Sequence, residues 1–99
     1  MNNQVFEIVV FKIKKDKLQE FLQNQPKMYQ QLKTYKGFKS IITHQSIENP
    51  EIFVDYCLWE TKEDAKNAAK DVMNDPKLSS LFNLIENVLS FEHYKQINS

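Results

Sequence analysis

Arginine is absent from the chain, and all 13 of its side-chain cations other than histidine are lysines. Without the planar guanidinium fork, bidentate reading of phosphate, carboxylate or guanine loses its usual donor. Thirteen acidic residues balance the lysines, so the formal net charge is zero and no one-signed field steers the chain to a polyanion or a membrane surface. Nucleic acid and membrane are therefore not expected partners. A single cysteine, Cys57, cannot form an internal disulfide. The opening MNNQVFEIVVFKIKKD has neither a basic n-region nor a signal cleavage site, so a reducing, cytoplasmic setting is the expectation. The longest apolar run, Ile8-Val9-Val10-Phe11, falls far short of the roughly 20 residues that span a bilayer. One glycine leaves no glycine-rich phosphate loop, which removes nucleotide cofactors of the usual folds. His44, His93, Asp55 and Cys57 show no metal-ligand spacing, and no metal is expected.

What remains is a 99-residue chain rich in aromatics, with seven Phe, four Tyr and one Trp, which suits a single domain over residues 1–99. Val5 to Ile13 is apolar on both alternations and reads as a central strand. Asp16, with Gln19 three residues on, has the spacing of a capping box for a helix running to Tyr35. Leu18, Phe21, Leu22, Gln25, Tyr29 and Leu32 form its stripe, and Pro26 predicts a kink or two shorter helices. Gly37 is placed to take the left-handed conformation that ends that helix. Phe38 to Ile47 and Ile52 to Glu60 flank Pro50 and read as a hairpin. Thr61 caps a helix with an Ala65, Ala68, Ala69, Val72, Met73 stripe. Asp75-Pro76 opens another helix carrying Leu78, Leu81, Phe82 and Ile85. Val88 to Ile97 reads as the last strand.

Strand, helix, strand, strand, helix, strand is a split βαβ layout, an α+β ferredoxin-like fold with a four-stranded antiparallel sheet and helices on one face. In the third strand Ile52, Val54, Tyr56 and Leu58 make a uniformly apolar side, expected to pack on the helices. Phe53, Asp55, Cys57 and Trp59 make a mixed side, expected to face a ligand, a partner or both. Helices on one face leave the other bare; carrying Phe53, Cys57, Trp59 and parts of the first strand, it would expose an apolar patch larger than a soluble monomer usually tolerates, and a homodimer through that sheet face is the simplest cover.

The order of elements, Tyr35-Lys36-Gly37-Phe38 between helix and strand, Leu58-Trp59-Glu60-Thr61 between strand and helix, and Glu92-His93-Tyr94 in the last strand together resemble the antibiotic-biosynthesis-monooxygenase-like proteins of the dimeric α+β barrel superfamily. The resemblance spans nearly the whole chain. It implies a homodimer whose two sheets close a barrel, with an apolar cavity between each sheet and its helices. Some members oxidise aromatic, polyketide-like molecules without a cofactor, and others degrade haem. The haem-degrading branch relies on an Asn in the first strand and a Trp and His in the later helices, which this chain lacks. The cofactor-free branch has a Trp near the end of the third strand, which Trp59 matches, with Asp55 standing where that branch has an amide.

Asp55 is the sharpest candidate. A carboxylate within an apolar strand is costly to bury unless it is paired, hydrogen-bonded or protonated, and desolvation would raise its pKa into the range of a useful base. The plainer alternative is an Asp paired with a Lys or His across a subunit interface. Asp55 and Trp59 share a face about 13 Å apart along the strand, so they could line opposite ends of one pocket but not touch directly. Trp59 offers an indole donor and a stacking surface for an aromatic ligand. His44 or His93 could act near neutral pH. The candidate catalytic set is Asp55, His44 and Trp59, with Phe53, Cys57, Tyr29 and His93 as candidate substrate contacts. Two readings follow: a cofactor-independent monooxygenase-like enzyme for a small aromatic or polyketide-like substrate, or a non-catalytic binding or dimerisation module of the same fold.

Overall fold

The computed structural model describes residues 3–98. Strand β1 (Val5–Ile13) leads through a short 3-10 turn, Lys15–Lys17, into helix α1 (Leu18–Leu32). Strands β2 (Phe38–Gln45) and β3 (Ile52–Trp59) form the hairpin, followed by α2 (Lys62–Met73), the single-turn α3 (Ser79–Phe82) and β4 (Ile85–Tyr94). The sheet order is β2-β3-β1-β4 and every pairing is antiparallel. The doubly apolar β1 thus lies inside the sheet, as its composition requires.

Register decides which side chains share a face. Glu7 lies opposite Cys57 and Val9 opposite Asp55, while Ile8 lies opposite Tyr56 and Val10 opposite Val54. The odd-numbered set, with Val5, Phe11, Ile13, Phe53, Cys57 and Trp59 all buried, packs beneath the helices. The even-numbered set lies on the bare face, where Tyr56 and Ile42 are exposed and Ile8, Val10, Val54 and Leu58 are only half-buried. This reverses the expected orientation of β3. Uniform apolarity marks the face left without helices, and the mixed side is the one the helices cover, because Asp55 lies there beside a cavity rather than in solid packing.

The core is split in two. One cluster gathers Val5, Leu32, Cys57, Trp59, Ala65 and Ala68; the other gathers Phe11, Ile13, Phe21, Phe53, Leu81 and Leu84. In the second, Phe21 and Phe53 lie 4.8 Å apart between ring centres, and Phe11 stacks on Phe53 at 5.9 Å. Small side chains on α2 let it approach β3 closely, burying Ala65 completely. Met28 of α1 packs against both clusters and spans the gap between them.

Several local expectations change. Asp16 falls within the 3-10 turn, and α1 begins after Lys17 with no side-chain cap. Pro26 sits inside one continuous 15-residue helix rather than between two, since tertiary contacts of Phe21 and Leu32 hold both halves. Gly37 does have a positive φ, 84°, but it serves the turn into β2, five residues beyond the last residue of α1. A Cβ there would lie 2.6 Å from that of Asp64, so glycine answers both the conformation and the space. Thr61 caps α2 as expected, its hydroxyl accepting from the Asp64 amide at 3.0 Å. Asp75 accepts from the Lys77 amide at 2.9 Å, and also from Gln31 and Tyr35 of the α1 end at 2.7 and 2.6 Å. It therefore anchors a loop as much as a helix, and only one turn, Ser79–Phe82, follows. β4 starts at Ile85, three residues earlier than its apolar run suggests, and ends at Tyr94. Register shifts between Val10 and Phe11, and between Lys12 and Ile13, accommodate the early start.

Candidate active site

Between the sheet and the helices lies a cavity of about 590 Å³. Its floor is Glu7, Val9 and Phe11 of β1 with Asp55, Cys57 and Trp59 of β3; Met28 and Leu32 of α1 and Ala68 and Val72 of α2 form the roof. Its volume suits one aromatic molecule of drug size. Phe91 and Val88 of β4 line its side and remain 46% and 53% exposed, which makes that side the entrance.

Two carboxylates stand on the floor, each held by a different partner. Gln25 Nε2 of α1 donates to Thr43 Oγ1 at 2.9 Å, and the Thr43 hydroxyl donates to Asp55 Oδ1 at 2.7 Å. Burial pushes the Asp55 carboxyl up to about 6; the Thr43 hydrogen bond opposes the rise, and Glu7 adds to it whenever it is ionised. Glu7 is held on the other side, its Oε2 lying 2.9 Å from Nε2 of His93 in β4. Burial also raises Glu7, against the contact with His93. Trp59 is 1% exposed, and its indole Nε1–H is buried without a hydrogen-bond partner. It lies near enough to Glu7 and Cys57 to temper the rise in both. A buried donor beside a cavity, with the Glu7 carboxyl near it but no acceptor at full hydrogen-bond geometry among the described residues, is a group a ligand acceptor can engage. Burial drives the Cys57 thiol far above its ordinary range, so it stays a neutral filler.

Of the residues singled out from sequence, Asp55, Cys57 and Trp59 meet at the cavity. Phe53 lies in the phenylalanine cluster and lines a smaller recess of about 220 Å³ instead. His44 lies opposite Val54 on the bare face, edge-on to Tyr56 at 5.6 Å, so it cannot reach the cavity. Tyr29 is 41% exposed on the outside of α1, edge-on to Phe38 with the Lys33 ammonium over its ring, and does not line the cavity. His93 meets the cavity only through Glu7. Sequence reading missed Glu7 and Thr43 as site residues. Glu7 interrupts the buried alternation of β1 just as Asp55 interrupts that of β3, and Gln25 interrupts the apolar stripe of α1. Those interruptions were the available signal. Among the described residues, no group of three or more His, Cys, Asp or Glu could hold a metal ion, and no helix is long and apolar enough to cross a membrane.

An α+β ferredoxin-like domain with an apolar, carboxylate-floored cavity between its sheet and its helices is the class that fold and site define. The model of the antibiotic biosynthesis monooxygenase family matches residues 4–71, and the chain belongs to that family. The matched segment contains Glu7, Thr43, Asp55 and Trp59. Solved structures agree in fold. A putative antibiotic biosynthesis monooxygenase from Nitrosomonas europaea superimposes with a TM-score of 0.78 at 19% identity, covering 98% of this chain and 93% of that one. A mutant of SnoaB, a cofactor-independent oxygenase from Streptomyces nogalater, gives 0.80 at 12% identity, covering 98% and 96%. A putative monooxygenase from Shewanella loihica gives 0.70 at 22% identity, covering 100% and 99%. No curated protein sequence matches the chain significantly.

Proposed function

We propose that this protein is a cofactor-independent monooxygenase for a small hydroxylated aromatic or polyketide-like molecule, with Asp55 as the base. The observation that carries the reading is Asp55 itself, a carboxylate on the floor of an apolar cavity, oriented by Thr43 and Gln25, with its pKa pushed up to about 6. Such a group is largely ionised at neutral pH and basic enough to take an activated proton. The fold likeness to a cofactor-independent oxygenase supports the same reading.

Asp55 takes a proton from an activated ring CH₂ flanked by phenolic rings. The carbanion gives its electron pair to dioxygen in two one-electron steps, forming a C–O bond and a peroxide anion. Asp55 returns the proton, leaving a hydroperoxide. The Trp59 Nε1–H, a buried donor that meets no acceptor at full hydrogen-bond geometry among the described residues, stabilises the developing oxyanion. Loss of water then gives the quinone-type carbonyl, so that CH₂ and O₂ become C=O and H₂O. The partner proposed is a second copy of the chain, joined through the bare sheet face.

Oxygen uptake with a panel of anthrone-like and hydroquinone-like compounds tests the reading. Asp55→Asn is expected to lower the rate by about 10²- to 10⁴-fold, the usual contribution of a positioned base. Trp59→Phe is expected to cost about 10²-fold, as for the loss of one oxyanion donor. Equal rates in the three proteins would remove both residues from the mechanism, and no uptake by the wild type with any compound would sink the reading.

A further inference from the structure

The cavity holds a second carboxyl that the deprotonation step does not use. Glu7 and Asp55 stand on neighbouring strands, on one face and two residues out of register, because Glu7 faces Cys57 and Asp55 faces Val9. Diagonal neighbours of this kind lie roughly 7–8 Å apart, on either side of a reacting carbon rather than at one point. Both line the cavity, and their hydrogen bonds run away from each other, Asp55 toward β2 and Glu7 toward β4. Glu7 is 9% exposed as a residue, and its contact with His93 makes a pair able to keep one proton inside the protein.

We propose that Glu7 is the acid that drives the final O–O cleavage, with His93 as its positioning residue. The proposal rests on the oxygenase reading above. Breaking the hydroperoxide to a carbonyl requires removal of the second C–H proton while the departing oxygen receives one. An ionised Asp55 can take the proton at carbon but carries none to give the departing oxygen. Asp55, ionised again after forming the hydroperoxide, takes the C–H proton. The C–H electron pair becomes the second bond of the carbonyl, the O–O bond breaks, and Glu7–H protonates the departing hydroxide to water. Asp55 is then protonated and Glu7 ionised, and transfer of that proton back to Glu7 resets the site. Over the cycle carbon loses four electrons and dioxygen accepts them.

The test follows two products in quenched single turnovers by mass spectrometry, the hydroperoxide (substrate plus O₂) and the quinone (substrate plus O, less two hydrogens). In Glu7→Gln, whatever the change in oxygen uptake, the ratio of hydroperoxide to quinone is expected to rise about 100-fold, so hydroperoxide accumulates. Glu7→Asp keeps an acid and is expected to restore part of the quinone yield; it also serves if the amide variant folds poorly. His93→Ala is expected to accumulate hydroperoxide, and His93→Gln, whose amide can still hold Glu7, to stay near wild type. Asp55→Asn should lose uptake and quinone together, with no hydroperoxide. Parallel loss of uptake and quinone in Glu7→Gln, or an unchanged product ratio, overturns the role of Glu7. An unchanged ratio in His93→Ala overturns that of His93. Absence of oxygen uptake in the wild type removes the oxygenase reading itself, and this proposal with it.

Discussion

The role proposed for Asp55 sets function against stability. Its carboxyl binds a proton more tightly in the folded chain, at about 6, than at the ordinary 3.8. Between those values the folded state carries more protons than the unfolded one, so Asp55 lowers stability as pH rises through this window, and the loss is complete above it. Asp55→Asn keeps an oxygen to accept from Thr43 and removes the buried charge. It is expected to raise stability by about 2 kcal/mol at about pH 8 and by little at about pH 4. Urea unfolding of both proteins at the two pH values checks this, and a gain that does not grow with pH counts against a desolvated carboxylate. Trp59 and Asp55 were legible before the fold was known, because a carboxylate in an apolar strand and a lone indole at its end are local anomalies. Glu7 was not, since its significance depends on His93, 86 residues away. A contact of that range exists only once β1 and β4 pair.

At the scale of elements, order and type were read with little error, whereas the start of α1 and the face of β3 were not. Period-two alternation identifies a strand but does not say which of its sides the helices cover. For β3 the side with polar interruptions proved to be the covered one, because a cavity replaces solid core there. Helix α1 shows propensity yielding to packing. Pro26 lacks the amide that would bond the Leu22 carbonyl, yet Phe21 on one side and Leu32 on the other are buried at 3% and 5% exposure, which keeps the helix whole. Pro26 itself is exposed, so removing it disturbs no core contact. Pro26→Ala is expected to restore the hydrogen bond and stabilise the protein by about 1–3 kcal/mol. An upward shift of the urea midpoint at constant slope would show it. A downward shift would mean that the proline's conformational constraint matters more than the lost bond.

For the molecule as a whole, the decisive feature is the bare side of the sheet. Phe6, Ile8 and Val10 of β1, Val54, Tyr56 and Leu58 of β3, and Ile42 of β2 form one contiguous apolar surface by register, with Tyr94 of β4 at its edge. Tyr56, Ile42 and Tyr94 are 41%, 57% and 42% exposed. A patch of this extent, with no helix above it, is larger than isolated soluble domains usually leave uncovered. Burying it against a second copy would require no change in either sheet and would leave both cavities on the outer, helix-covered sides. The expected assembly is therefore a dimer of twice 11.8 kDa in light scattering at micromolar concentration. Ile8 is the most informative position, being half-buried in a strand paired on both sides and turned away from the cavity. Ile8→Lys places like charges against each other across the expected interface and should shift the mass to that of the monomer. Circular dichroism would distinguish dissociation from unfolding. A wild-type mass of 11.8 kDa would leave the apolar face without its proposed cover. A folded Ile8→Lys protein that remained dimeric would place the contact elsewhere.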